Sequence, residues 1–272
     1  MAALQGKTAV VTGASSGIGK AIACLLAEQG SHVFIAGRST ERLEEVARSI
    51  EGAGGQATIG AFDLHDYDRL QAFVAEAAKQ TGQLDIIVNA AGVHHPGTIV
   101  DGTLADWRAM FETNVIAVLA GSQAAIRVMR ETGSKGHVVT ISSCAGQGEG
   151  YHVYGATKAA VNSICKVLRA ELANEPIRAV TIMPGAVATN FGRHYPPEFV
   201  NGMFKSVGIS TAFQTGDVLS DETLEDLKAR ASAIFASPSD IARAVLYAVT
   251  QPHDLSVSEI LVGPRKSFPG AA

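Results

Sequence analysis

Short, almost unbroken apolar runs recur along the chain, and stretches with helical spacing separate them. The runs are 7–12 (KTAVVT), 31–37 (SHVFIAG), 57–62 (ATIGAF), 84–89 (LDIIVN), 137–142 (HVVTIS), 178–183 (RAVTIM) and 258–262 (SEILV). Continuous rather than alternating hydrophobicity marks strands covered on both faces, as in a parallel sheet. Between them, Ile18, Ile22, Leu25 and Leu26 make one amphipathic stripe, and Leu70, Phe73, Val74 and Ala77 make another. Strands alternating with helices over this length predict an α/β fold, doubly wound, with helices on both faces of the sheet.

With 47% hydrophobic and 18% charged residues, the chain has ample material for a large core. No repeat or linker divides it, so residues 1–272 read as a single domain. The stretch 190–236 breaks the alternation with Pro196-Pro197, several aromatics and an acidic helix near 221–231. Such an insertion reads as a substrate-facing flap or as a plain surface excursion. A net charge of -4 without a basic run argues against nucleic-acid and anionic-membrane partners. Cys24, Cys144 and Cys165 show no metal-ligand spacing and read as reduced thiols. No leader pattern and no stretch of bilayer-spanning length stands out, so a soluble cytoplasmic protein is expected. Adjacent His94 and His95 rarely face one ion, and nothing completes a coordination sphere, so no metal is expected and a loop pair near the substrate is the better reading. Trp107 reads as core or interface.

The first strand runs into VVTGASSGIGKAIA, which sets Gly13, Gly17 and Gly19 between strand and helix. A glycine there turns tightly without a Cβ clash, and the following helix offers unpaired N–H groups to a pyrophosphate. The spacing G-x-x-x-G-x-G differs from the common dinucleotide fingerprint, yet its place after the first strand favours a nucleotide site. At the end of the second strand, an acidic residue would bind ribose hydroxyls, whereas an arginine accommodates a 2′-phosphate. FIAGRSTERLEE supplies Arg38 and no carboxylate until Glu41. NADP(H) is therefore expected over NAD(H); a merely solvated Arg38 is the alternative.

In order, TGASSGIG (12–19), Asp63 in AFDL, NAAG (89–92), Asn114 in TNV, ISSCAG (141–146), YGATK (154–158) and PGAVAT (184–189) resemble the short-chain dehydrogenase/reductase family in its compact single-domain form. The resemblance covers essentially the whole length. It implies a Rossmann-type, mostly parallel seven-stranded sheet and nicotinamide-based oxidoreductase chemistry. It assigns Gly13, Ser15, Ser16, Gly17, Ile18 and Gly19 to the cofactor phosphates, with Asp63 and Leu64 at the adenine. Asn89, Ala90 and Gly92 would shape the adenosine side, and Pro184, Gly185, Val187 and Thr189 would hold the nicotinamide carboxamide. Asn114 resembles the residue that holds a proton-relay water, and Lys158 the one that also binds the nicotinamide ribose. Family members commonly assemble through helices that include the catalytic one, so a homotetramer or homodimer is expected.

Tyr154 and Lys158 lie one helical turn apart on one face. A free phenol titrates near ~10, and a nearby ammonium can lower a pKa by about 1–3 units, so the pair predicts a tuned proton carrier. Alignment on S-x-A-G favours Ser143 over Ser142 as the hydroxyl that polarises the substrate. Tyr151 could line the pocket or pack at the helix start, and Phe191 is a candidate for the substrate wall. The expected function is an NADP(H)-dependent oxidoreductase interconverting a secondary alcohol and a ketone or aldehyde, a hydroxy acid being one candidate. The alternative is a cofactor-binding scaffold or redox sensor without catalysis.

Overall fold

The computed structural model describes residues 2–148 and 151–266. The two ends of the expected 1–272 domain, and residues 149–150 between Ser143 and Tyr154, lie outside the described residues. Seven strands form one sheet: β1 (Thr8–Thr12), β2 (His32–Gly37), β3 (Gln56–Ala61), β4 (Ile86–Asn89), β5 (His137–Ile141), β6 (Arg178–Pro184) and β7 (Glu259–Val262). Their order is β3-β2-β1-β4-β5-β6-β7. Every pairing is parallel, where the sequence implies only a mostly parallel sheet. The reason lies in the connections. A parallel neighbour needs a long crossover, and every strand-to-strand link here carries a helix, so no hairpin brings in an antiparallel strand.

Alternation along each strand sends side chains to two separate cores. On one face, Val11, Val33, Ile35, Val88 and Ile182 pack under α1 (Gly17–Glu28), α2 (Thr40–Gly52) and α9 (Pro238–Val249). On the other, Val10, Phe34, Ile87 and Val138 pack under α3 (Tyr67–Thr81), α5 (Ala117–Thr132) and the end of α6 (His152–Glu171). The stripe Leu70, Phe73, Val74 and Ala77 is wholly buried. Sequence-local caps set where several helices begin: Ser39 accepts from Arg42 N, Asp66 from Arg69 N, and Ser237 and Asp240 form a capping box on α9.

The helix α4 (Leu104–Phe111) passes through a π-turn, Glu112–Ile116, straight into α5. The continuous run Leu104–Thr132 spans 29 residues, and an 18-residue window within it has a mean hydropathy of 1.2, long and apolar enough to cross a bilayer. This corrects the sequence reading that no stretch has that length. Of its most apolar window, 56% is buried within the molecule, with Met110, Ala125 and Met129 enclosed, as in a core helix.

Residues 190–236 hold α7 (Pro197–Ser206) and α8 (Asp221–Arg230) around a small core of Val200, Phe204, Ile209, Phe213, Leu227 and Phe235. Its two ends meet, since Ala188 N donates to Ala236 O at 3.0 Å and Ala236 N to Ala186 O at 2.9 Å. Asn190 fastens the middle by bonding both the N–H (2.7 Å) and the carbonyl (3.0 Å) of Leu219. Lys20 of α1 pairs with Asp221 of α8 at 2.8 Å, which ties the segment to the first helix of the sheet.

Phe73 is fully enclosed and meets Phe34 and Phe62 edge-on, at centroid distances of 5.9 and 5.5 Å. Phe73→Ala should cost about 3–5 kcal/mol in a denaturant titration. A loss below ~1 kcal/mol would mean that the α3 side of the core collapses to fill the space.

Candidate active site

The strand order reverses between β1 and β4, and the crevice at such a switch point is the usual ligand site of an open α/β sheet. A cavity of about 720 Å³ lies there, walled by segments that follow successive strands. They are Gly13–Gly19 after β1, Arg38 after β2, Asp63 and Leu64 after β3, and Ala90–His94 after β4. Ser142 and Ser143 follow β5, and Pro184–Arg193 end and follow β6.

Gly13 and Gly17 take φ of +66° and +53°, conformations that disfavour a side chain. A Cβ on Gly13 would also lie 2.7 Å from Ala91 Cα, and one on Gly19 would lie 2.3 Å from Gly13 O. These glycines let the turn, the β4 loop and α1 close on one another. Ser16 precedes α1 without capping it through its side chain, which leaves the first-turn N–H groups open to an anion. Thr189 reaches this turn from β6: its methyl is 3.2 Å from where a Gly17 Cβ would stand. Asp63 is exposed and accepts from His65 N at 3.0 Å. Arg38 is exposed at the rim. A dinucleotide's two phosphates and its adenosine find donors and space in this arrangement, so the residues fit a nicotinamide cofactor.

Tyr154 and Lys158 of α6 are both buried. Lys158 Nζ donates to Ile141 O at 3.0 Å and lies 5.8 Å from the centroid of the Tyr154 ring. Burial pulls the lysine down to about 8 and pushes the Tyr154 phenol up, while a hydrogen bond with Ser143 opposes the rise. The expected lowering of the phenol by Lys158 is therefore reversed in the protein alone. Enclosing a phenolate costs more than an ammonium returns when that ammonium is itself desolvated and turned toward a carbonyl.

The serine pair divides cleanly. Ser142 is buried and donates to Asn162 Oδ1 at 2.6 Å. Ser143 is half-buried, accepts from Ala145 N at 3.1 Å and bonds Tyr154. Ser143 is thus the hydroxyl beside the phenol. Tyr151 begins α6 and lines the cavity, and its ring also packs with the Met110, Ala145 and Tyr154 cluster, so both of its sequence readings hold. Trp107 packs against the same cluster. The Phe191 ring stands 5.6 Å from that of Tyr154.

Asn89 and Asn114, expected at the cofactor and the proton relay, do not line the cavity. Asn89 is buried and donates to Ser122 Oγ at 3.1 Å, its amide turned into α5. Asn114, within the π-turn, accepts from Val93 N (2.8 Å) and donates to Val93 O (3.0 Å) and Thr157 Oγ1 (3.1 Å). It pins the β4 loop to α6, and only one Oδ1 lone pair remains for a water. His94, read from the sequence as part of a loop pair near the substrate, forms a wall of the reaction space. Its ring lies 4.5 Å from Tyr154, 5.1 Å from Tyr195 and 6.0 Å from Phe191, and burial with neighbouring imidazoles lowers it to about 4. Its position two residues after NAAG was the available signal.

A family model described as short chain dehydrogenase matches residues 7–198, most of the chain. The chain belongs to the short-chain dehydrogenase family. An uncharacterized oxidoreductase of Staphylococcus aureus (strain USA300) is 35% identical over 266 residues, covering 97% of this chain and all of that protein. A metagenomic short-chain oxidoreductase solved with NADP aligns with a TM-score of 0.74 at 30% identity, over 96% of this chain and 99% of the other. A short chain dehydrogenase of Burkholderia cenocepacia, also solved with NADP, gives 0.76 at 29% identity, over 96% and 97%. This short-chain dehydrogenase is accordingly an oxidoreductase that uses a nicotinamide dinucleotide.

Lys158 loses its charge as pH rises through about 8 in the protein alone. Affinity for NADPH should fall over pH 7–9.5 in a fluorescence titration, and Lys158→Met should bind weakly with no such trend. The sign is opposite for stability. The unfolded chain keeps this proton up to ~10.4, so between about 8 and ~10.4 the group makes the folded state more stable as pH rises.

Proposed function

We propose that this short-chain dehydrogenase is an NADP(H)-dependent carbonyl reductase and alcohol dehydrogenase, interconverting a ketone or aldehyde with its alcohol. The observation that carries the reading is the convergence of Tyr154, Ser143 and Lys158 at the floor of a cavity that also holds the glycine turn. NADP(H) supplies or accepts the hydride when bound. Tyr154 Oη passes a proton to the substrate oxygen in reduction and takes one back in oxidation, while Ser143 orients that oxygen. Such a positioned acid–base group contributes about 10²–10⁴-fold to rate. Lys158 holds the cofactor ribose, and Asn114 acts as a positioning residue between the β4 loop and α6. A phenol kept protonated by burial is poised to donate its proton to a substrate oxygen. Arg38 supports NADP(H) over NAD(H), as does the NADP bound in the two solved relatives.

The wall opposite Tyr154 consists of Phe191, Tyr195 and an imidazole held neutral, which suits an apolar, ring-bearing body better than a small hydroxy acid. The three cysteines are free, in keeping with a reducing compartment such as the cytoplasm. Cofactor binding without chemistry, the second reading, has no observation in its favour. We further propose a homodimer or homotetramer through the π-turn, α5 and α6, where Ile116, Leu119 and Val167 are 39%, 40% and 53% exposed. A monomeric mass by light scattering at working concentration would reject that assembly.

The function is tested by NADPH oxidation over a panel of ketones, aldehydes and keto acids. Tyr154→Phe and Ser143→Ala should each lower kcat by about 10²-fold or more while NADPH still binds, and Ser142→Ala should act mildly. NADPH binding without turnover of any panel member would favour the scaffold, and full activity in Tyr154→Phe would remove the phenol from the mechanism.

A further inference from the structure

Arg193 belongs to the flap, two residues beyond Phe191, yet it lines the same cavity as Arg38 and the glycine turn. It is half-buried, and its Nε–H points to His194 Nε2 at 3.2 Å. Burial and the positive charges of Arg38 and Arg42 together hold its guanidinium below the usual arginine range. Among the described residues no ion pair neutralises Arg38, Arg42 or Arg193, although the same surface carries acid–base pairs elsewhere. Arg38 from the end of β2 and Arg193 from the flap thus line one cavity, and the charge of Arg42 on α2 reaches Arg193 as well. Like charges repel more strongly when partly desolvated, and an anion between them relieves that repulsion.

The position narrows which anion this is. The open first turn of α1 already offers N–H groups for a pyrophosphate. The arginines whose charge Arg193 feels lie instead at the end of β2 and the start of α2, where the adenosine ribose of a dinucleotide sits in this fold. A phosphomonoester there carries up to two charges and accepts planar guanidinium donors well.

Resting on the NADP(H) reading above, we propose that Arg193 is a second guanidinium on the cofactor 2′-phosphate, by which the phosphate draws the flap onto the sheet. The consequence reaches the substrate. Arg193 O accepts from Gly216 N at 2.7 Å, and its neighbours Phe191 and Tyr195 stand against Tyr154 and His94. Fixing Arg193 therefore fixes the apolar wall of the reaction space. NADPH organises that wall, and NADH, lacking the phosphate, leaves it loose.

The test is a titration of NADPH and NADH into wild type, Arg193→Gln, Arg193→Lys and Arg38→Ala, each first checked for an unchanged melting temperature. Arg193→Gln should weaken NADPH about 10-fold or more and NADH less than about 2-fold, with Arg193→Lys recovering part of the loss. Amide exchange supplies a second readout: NADPH should slow exchange over 190–220 more than NADH in wild type, and the difference should vanish in Arg193→Gln. If Arg193→Gln misfolds, Arg193→Lys carries the test, with a loss confined to NADPH expected. Equal losses for both cofactors would overturn the proposal by placing Arg193 at a part the two share. Unchanged NADPH binding in Arg193→Gln beside a clear loss in Arg38→Ala would overturn it and leave the NADP(H) reading standing. A wild type that binds NADH as tightly as NADPH would overturn both.

Discussion

Parallel pairing of all seven strands is the constraint on which the rest of this molecule depends. Strands that run the same way end at the same edge, so the loops after β1 to β6 gather there whatever their separation in sequence. The price is that both faces of the sheet must be covered, and the chain meets it with two sets of helices over two cores. The sequence order reverses beside β1, so the neighbouring crossovers leave on opposite faces and a crevice opens between them. Glycines at 13 and 19 then allow backbone contacts too close for any side chain, and these set the floor of the cavity.

Within that crevice, burial governs the chemistry. Tyr154 and Lys158 are both enclosed, and each is driven toward its neutral form. A phenol that holds its proton is an acid in waiting, and the ammonium beside it is steadied by the Ile141 carbonyl rather than by a carboxylate. A bound cofactor would change both environments by excluding water and adding charge.

Much of this architecture was legible in the chain. The seven apolar runs coincide with the seven strands to within a residue or two; the central strands are apolar throughout because both of their faces are buried, whereas the edge strands β3 and β7 are partly exposed. The motif residues from Gly13 to Thr189 converge on one cavity, except for Asn89 and Asn114. An asparagine's letter does not say which way its amide turns. Asn89 faces α5 and Asn114 faces Val93 and Thr157, each inside the packing. Arg193 was missed as a member of the site for the converse reason. Nothing local to FGRHY shows that its guanidinium will line the same cavity as Arg38.

By itself, the sequence determined the class of fold, the phosphate turn, the family and the two residues able to exchange a proton. These depend on patterns within single elements: periodicity, glycine placement and a spacing of one helical turn. Tertiary structure alone decided that Ser142 is bonded to Asn162, that burial raises the Tyr154 phenol despite Lys158, and that a flap arginine lines the same cavity as Arg38. Each of these is a matter of which side chain desolvates which neighbour. Desolvation is set by everything packed around a group, and residues distant in sequence supply most of that packing.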